Sequence, residues 1–154
     1  MTTQEVLLVK PEFVPDIWPR VRHLIDEALD HTIGELHSSD ILKMILNEKE
    51  FLWVGVENDE IKSALVAEVV NYPRKRILRI IVWTVDQDSD FDTWIKHLHN
   101  IEDFARTAEC SHLEAWARKG LTRKLNWEHE YSVISKQIKP KQQRKRRRRP
   151  KKHG

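Results

Sequence analysis

Apolar residues recur along this chain at two different spacings, and the switches between them lay out an order of elements. Val6 to Lys10 is a short apolar run that predicts a first strand. Asp16 is placed to cap a helix, with Pro19 tolerated in its first turn. Trp18, Val21, Leu24, Ile25, Ala28 and Leu29 then repeat at helical spacing. A second, shorter helix is expected after Ser39, with Ile41, Leu42, Ile45 and Leu46 on its inner side. Phe51 to Glu57 reads as a strand, Asn58-Asp59 as a turn, and Ile61 to Asn71 as the returning strand, ended by Pro73. Arg76 to Val85, rich in Ile and Val, is long enough to cross a sheet.

Asp92 or Thr93 is expected to cap the helix with the clearest periodicity, whose apolar positions are Trp94, Ile95, Leu98, Ile101, Phe104, Ala105 and Ala108. His112 to Ala117 predicts a short strand, Lys119 to Leu125 a short helix, and His129 to Ile138 a closing strand. Hairpins early and crossovers late imply an α/β (α+β) fold, a mixed, largely antiparallel sheet flanked by helices. No internal repeat or linker interrupts residues 1–138. A chain of 154 residues has room for one domain with a proper core. No apolar run approaches the roughly 18 to 20 residues that span a bilayer. No basic leader precedes a long apolar stretch at the N-terminus. The single cysteine, Cys110, cannot form an internal disulfide. Together these features imply a cytosolic protein.

The net charge of +3 hides a division. Residues 139–154 carry ten Lys and Arg and no acid: Lys139, Lys141, Arg144, Lys145, Arg146, Arg147, Arg148, Arg149, Lys151 and Lys152. The preceding 138 residues therefore hold 17 of the 27 basic side chains against all 24 acidic ones, a net of −7. Beyond Ile138 no hydrophobic residue appears, so the segment has nothing to bury and is expected to be a disordered basic C-terminal tail. Arginine's planar fork donates two hydrogen bonds to one phosphate, which makes nucleic acid or another polyanion the expected partner. If about six of these charges engage phosphates, affinity falls on the order of a thousandfold between 50 and 200 mM salt. No aromatic residue is interleaved, so binding is expected to be nonspecific. The same composition suits a solvated charge run, a segment folded back on the acidic body, or a nuclear-localisation signal.

The order of elements, with Phe51-Leu52-Trp53-Val54, Glu68-Val69-Val70-Asn71-Tyr72-Pro73, Ile101-Glu102-Asp103-Phe104-Ala105-Arg106 and Leu113-Glu114-Ala115-Trp116-Ala117-Arg118-Lys119-Gly120-Leu121, resembles the GNAT superfamily of N-acetyltransferases. More narrowly, the chain resembles small GNAT-like proteins of tailed bacteriophages and prophages, over residues 5 to 138. The resemblance implies an origin in a phage or prophage and a location in the host cytoplasm or the virion. It also implies an acetyl-CoA diphosphate docked after the strand Arg76 to Val85, on a Gln/Arg-x-x-Gly-x-Gly/Ala loop whose backbone amides hold phosphate. This chain has Val85-Asp86-Gln87-Asp88-Ser89-Asp90-Phe91-Asp92 there, with no glycine and four carboxylates. At an effective dielectric near 20, a like-charge contact at about 4 Å costs on the order of 4 kcal/mol. The cofactor site therefore reads as lost. Where active members place a general-acid tyrosine, in a pattern like Tyr-x-x-Leu-Gly-Phe, this chain has Thr122-Arg123-Lys124-Leu125-Asn126-Trp127. Tyr131 falls on the following predicted strand, and Glu68 is a strand-end glutamate available as a base. The expectation is a catalytically degenerate binding or assembly module with no catalytic residue and no cofactor. The alternative is an active acetyl-CoA-dependent N-acetyltransferase. An acidic body docking on a basic protein partner is a further reading.

Other candidates carry less. Asp86, Asp88, Asp90 and Asp92 alternate like a calcium loop, but the sixth and twelfth positions hold Phe91 and His97 instead of Gly and Glu. His97 and His99 diverge by about 200° on a helix, and His23, His31 and His37 lack ligands at metal spacing, so no metal site is expected. Cys110 beside His112 allows a Cys–His nucleophile or an inert buried thiol. Arg74, Lys75, Arg76 and Arg79 form a second basic cluster, and Arg118, Lys119, Arg123 and Lys124 a third. Each is either a guide for a polyanion or a solvated face.

Overall fold

The structure, a computed structural model, describes residues 3–30, 36–115, 119–130 and 134–140, with residues 119, 120 and 122 described by their backbone alone. Among the described residues, five strands lie side by side in chain order: β1 (Gln4–Leu8), β2 (Glu50–Glu57), β3 (Glu60–Asn71), β4 (Arg76–Val85) and β5 (His112–Ala115). The first four are antiparallel neighbours, and β5 joins β4 in parallel. The mixed, largely antiparallel sheet is thus the one the hydrophobic pattern implies.

Helices α1 (Val14–Leu29) and α2 (Ser38–Leu46) cover one face, burying Val21, Leu24, Ile25, Ile41 and Ile45 against Leu52, Val54, Val66 and Val82. Helices α3 (Phe91–Ile95) and α4 (Leu98–Thr107) cover the other, where Leu98, Ile101 and Ala105 meet Trp53, Leu65, Leu78 and Ile80. Successive side chains of β2 point to opposite faces, so a strand covered on both sides reads as an unbroken apolar run. A short helix, α5 (Lys119–Leu125), follows β5.

Several boundaries differ from expectation. β1 spans Gln4–Leu8 instead of Val6 to Lys10, because its ladder pairs Gln4 with Glu57 and Leu8 with Trp53 before the chain turns at Pro11. α1 starts ahead of Asp16. Pro11 opens a 3-10 turn (Pro11–Phe13) and Pro15 sits in the first turn of α1, both places where a missing N–H is harmless. Pro19 consequently falls in the helix interior. The long helix expected after Asp92 is two helices. His97 N–H bonds Trp94 O and Asn100 N–H bonds His97 O, a tight joint between α3 and α4. Asp90, not Asp92 or Thr93, caps α3, its Oδ1 accepting from Asp92 N–H at 3.0 Å. The closing strand expected over His129 to Ile138 is absent from its described part. Residues 129–130 and 134–138 have no regular structure, and Ile134 and Ile138 face solvent without a neighbouring strand. Residues 131–133, with Tyr131, lie outside the described residues, as do Trp116, Ala117 and Arg118.

Gly55 fixes how α3 sits. A Cβ on it would fall 2.5 Å from Trp94 Cζ3 and 2.7 Å from Ser63 Cβ, so the indole lies directly against bare backbone. Trp94 is thereby buried on the sheet, with a cavity of about 20 Å³ left among Trp53, Trp83, Trp94, His97 and Ile101.

Candidate functional site

Two features at the open side of β4 bear on function. The first is its pairing. β5 accompanies β4 only from Ile77 to Ile80, so Ile81 to Val85 run on without a β5 partner among the described residues. Beside the last described rung of that pairing, β4 bulges: Ala67 faces Ile80 and Val66 faces Val82, leaving Ile81 unmatched.

The second is the loop that follows, Asp86 to Asp90. Its backbone donors are largely taken by its own chain. Asp86 N–H bonds Lys62 O at 2.7 Å, Ser89 N–H bonds Asp86 O at 2.9 Å and Thr93 N–H bonds Asp90 O at 3.1 Å. Asp88 N–H reaches Asp86 Oδ1 at 3.4 Å. Each carboxylate has a separate duty. Asp88 is clamped by the Lys62 ammonium at 2.8 Å, which holds its carboxyl below the usual carboxylate range and Lys62 above its own. Asp86 Oδ2 lies 3.9 Å from His23 Nε2, Asp90 caps α3, and Asp92 pairs with Lys124 at 3.2 Å. Lys124 also stands 5.4 Å from the centre of the Phe91 ring, which packs on Trp83 at 4.8 Å. The mouth of the opening is thus bridged from α5 to the start of α3.

Behind the loop, a polar relay ties it to the sheet. Trp94 Nε1 donates to Ser89 Oγ (2.9 Å), which donates to Glu57 Oε2 (3.0 Å). Gln4 Nε2 donates to Glu57 Oε1 (2.9 Å) and Thr93 Oγ1 (2.7 Å), and Gln4 Oε1 lies 3.2 Å from His97 Nε2. Burial, with the nearby charges of Lys96 and His99, lowers the His97 pKa below the ordinary histidine value. His97 is thus tied into a network with Gln4 and Trp94.

Lower on the sheet, on the face of α1 and α2, one rung crosses four strands: Glu50, Glu68, Arg79 and Glu114 stand in register. Arg79 is held by Glu114 at 3.0 Å, by Glu68 at 3.6 Å and by the Tyr72 hydroxyl at 2.8 Å. Glu50, 4 % exposed, has no hydrogen-bond partner for its Oε2 among the described residues. Burial first, and then the charge of Glu68, push the Glu50 carboxyl up to about 7. Strand periodicity offered no signal for this rung, since Glu50 precedes the expected start of its strand.

No family model matches the sequence, and no curated protein matches it. Solved structures do. An aminoglycoside acetyltransferase from an uncultured soil metagenomic sample, in complex with sisomicin, superposes with a TM-score of 0.68 at 14% identity, covering 90% of this chain and 97% of that one. An aminoglycoside N-acetyltransferase in complex with CoA gives 0.69 at 9% identity over 91% of this chain and 97% of its own. A GNAT family acetyltransferase of Staphylococcus aureus gives 0.66 at 15%, over 88% of this chain and 99% of its own. The fold is the GNAT fold. At these identities the likeness establishes the GNAT architecture and leaves chemistry to the side chains.

The GNAT framework separates the other candidates. Among the described residues no group of three His, Cys, Asp or Glu side chains converges on a cation position. Cys110 is half-buried and its thiol points to Ala108 O at 4.0 Å, while His112 Nδ1 turns to Ser111 Oγ at 2.7 Å. They form no nucleophile pair. Arg79 leaves the second basic cluster for the carboxylates around it, and Lys124 leaves the third for Asp92. Thr122 is described by its backbone alone, and the tail from Lys141 to Gly154 lies outside the described residues, as does His31. No helix among the described residues is long and apolar enough to cross a membrane.

Proposed function

We propose that this chain is a GNAT-fold protein without a working acetyl-CoA site, used as a binding or assembly module whose tail (Lys139, Lys141, Arg144 to Arg149, Lys151 and Lys152) attaches to nucleic acid. One observation carries the first half. The loop that would receive the cofactor diphosphate has most of its backbone amides engaged within the protein, at Asp86 N by β3 and at Asp88 N, Ser89 N, Asp92 N and Thr93 N by the loop itself. It also has no glycine and presents four carboxylates. A diphosphate needs free donors and positive charge. These residues do not fit it. Ten cations in sixteen residues without an acid support the second half. The body spans residues 1–138 in this reading, and resemblance to phage-encoded proteins supports a place in the host cytoplasm or the virion.

The bulge of β4 at Ile81 favours the rival reading, an active acetyl-CoA-dependent N-acetyltransferase. Isothermal titration with acetyl-CoA separates the two. No heat of binding is expected at ligand concentrations up to about 100 µM, whereas a Kd tighter than about 100 µM, or −5.5 kcal/mol, overturns the proposal.

A further inference from the structure

Some described cations of the body are matched to carboxylates and others are not; what sets Arg74, Lys75 and Arg76 apart is that they are three in a row. Arg22, Lys62, Arg79, Arg106 and Lys124 each stand in an ion pair. Arg74, Lys75 and Arg76 do not: among the described residues no carboxylate lies within salt-bridge distance of any of them. All three are exposed, and they are consecutive at the turn joining β3 to β4. The turn is rigid. Tyr72 N–H bonds Lys75 O at 2.8 Å, Pro73 fixes its own φ, and Asn71 pairs with Arg76 in the ladder. Ser111 N–H bonds Arg76 O at 2.8 Å, which anchors the turn to the start of β5.

The acids of the rung below the turn are engaged or buried. Glu68 and Glu114 are occupied by Arg79, and Glu50 is buried. The same clasp orients an aromatic ring. Arg79 donates to the Tyr72 hydroxyl at 2.8 Å, and Tyr72 remains 37% exposed, so its ring is steadied at the same turn as the three cations with part of its surface open. The tail has cations and no aromatic residue; the turn has both. Cations track a phosphate backbone, and an exposed ring offers a platform on which any base can stack.

We infer that the Tyr72–Arg76 turn is a second nucleic-acid contact, which takes a single strand by pairing phosphates with Arg74, Lys75 and Arg76 and stacking a base on Tyr72. The inference rests on the reading of the tail as a nucleic-acid anchor and adds a rigid contact on the body. The strand is held at the cationic end of β4, away from the carboxylates of the Asp86–Asp92 end. Capture by the tail and local seating at the turn then act on one ligand.

The test is fluorescence anisotropy on the full chain with a labelled oligothymidine strand of about 20 nucleotides, heparin serving as a phosphate-free polyanion without bases. R74Q/K75Q/R76Q is expected to weaken oligonucleotide binding roughly tenfold or more and to lower the slope of log K against log salt by about 2, at roughly 0.7 per contact. Because Arg76 lies in the ladder, R74Q/K75Q, confined to the turn, is run beside it and should lower the slope by about 1.4. Tyr72→Leu should weaken the oligonucleotide about tenfold with the slope and heparin affinity unchanged, and Tyr72→Phe should retain binding. Wild-type affinity and slope in both basic variants, or equal losses for heparin in Tyr72→Leu, overturn the inference. If binding survives those variants but vanishes on removing residues 139–154, the turn fails and the tail reading stands. If the full chain binds neither probe, both fail.

Discussion

At the C-terminal end of β4, four aspartates in seven residues are absorbed locally, one into a lysine clamp, one into a helix cap, one beside His23 and one onto Lys124. At its N-terminal end, ten residues or about 33 Å away, three successive cations meet no carboxylate among the described residues. Both ends are strongly charged in the sequence, and charge alone does not tell them apart. Local partners do. A charged residue whose hydrogen bonds are met by its neighbours is building structure, whereas one left with solvent keeps its capacity for a ligand. The lesson applies also to Arg79, which by sequence belongs with Arg74, Lys75 and Arg76 and by structure with Glu68 and Glu114.

The contrast can be broken or sharpened by four measurements. The largest effect is expected from the tail. Deleting residues 139–154 should abolish the roughly thousandfold weakening of polyanion binding between 50 and 200 mM salt, by removing about six phosphate contacts. Unchanged retention on nucleic acid by the truncated chain would shift the whole account to the body.

Next comes the unpaired carboxyl at the turn end. Glu50 is raised from 4.5 to about 7 in the folded protein, so the folded state holds that proton more tightly than the unfolded chain does. Stability is therefore expected to fall as pH rises from about 4.5 to about 7 and to level off above, a loss on the order of 3 kcal/mol from this group. Urea denaturation of Glu50→Gln should show a gain approaching that figure at about pH 8, relative to its difference from wild type at about pH 4. An equal difference at both pH values would remove Glu50 as the cause.

Gly55→Ala tests what holds the loop end. With 2.5 Å to Trp94 there is no room for a methyl group, and the strain of overpacking should cost about 1 to 3 kcal/mol in thermal or urea unfolding. Wild-type stability would mean that α3 shifts freely and that the loop is not fixed from behind. The smallest effect concerns the acids themselves. Asp86→Asn with Asp92→Asn should strengthen polyanion binding only about twofold to fivefold at low salt, by relief of long-range repulsion. It should leave acetyl-CoA unbound, since the amides stay engaged. Acetyl-CoA binding by this variant would show that charge alone had closed the site.

Much of the architecture was legible because burial imposes period. The two-sided cover of β2 and β3 shows as unbroken apolar runs, and Trp18, Val21, Leu24 and Ile25 mark the inner face of α1. What was missed has local causes. The joint at Lys96-His97 is invisible to periodicity, because Trp94 and Leu98 remain in phase across it, and it follows directly on the seat of Trp94 against Gly55. The closing strand expected over His129 to Ile138 is missing from its described part because a strand needs a neighbour to pair with, and apolar spacing cannot supply one. At the candidate site, the missing glycines and the four aspartates were plain in the sequence. The partner of each aspartate was not, since Lys62 and Lys124 come from distant elements that only the fold brings near. The rung from Glu50 to Glu114 escaped for the same reason: it exists across strands.

The seat of Trp94 on Gly55 gives this layer an optical character of its own. An indole pressed on bare backbone and almost wholly buried is shielded from water, so its emission should lie to the blue in the native protein and shift to the red as soon as α3 lifts from the sheet.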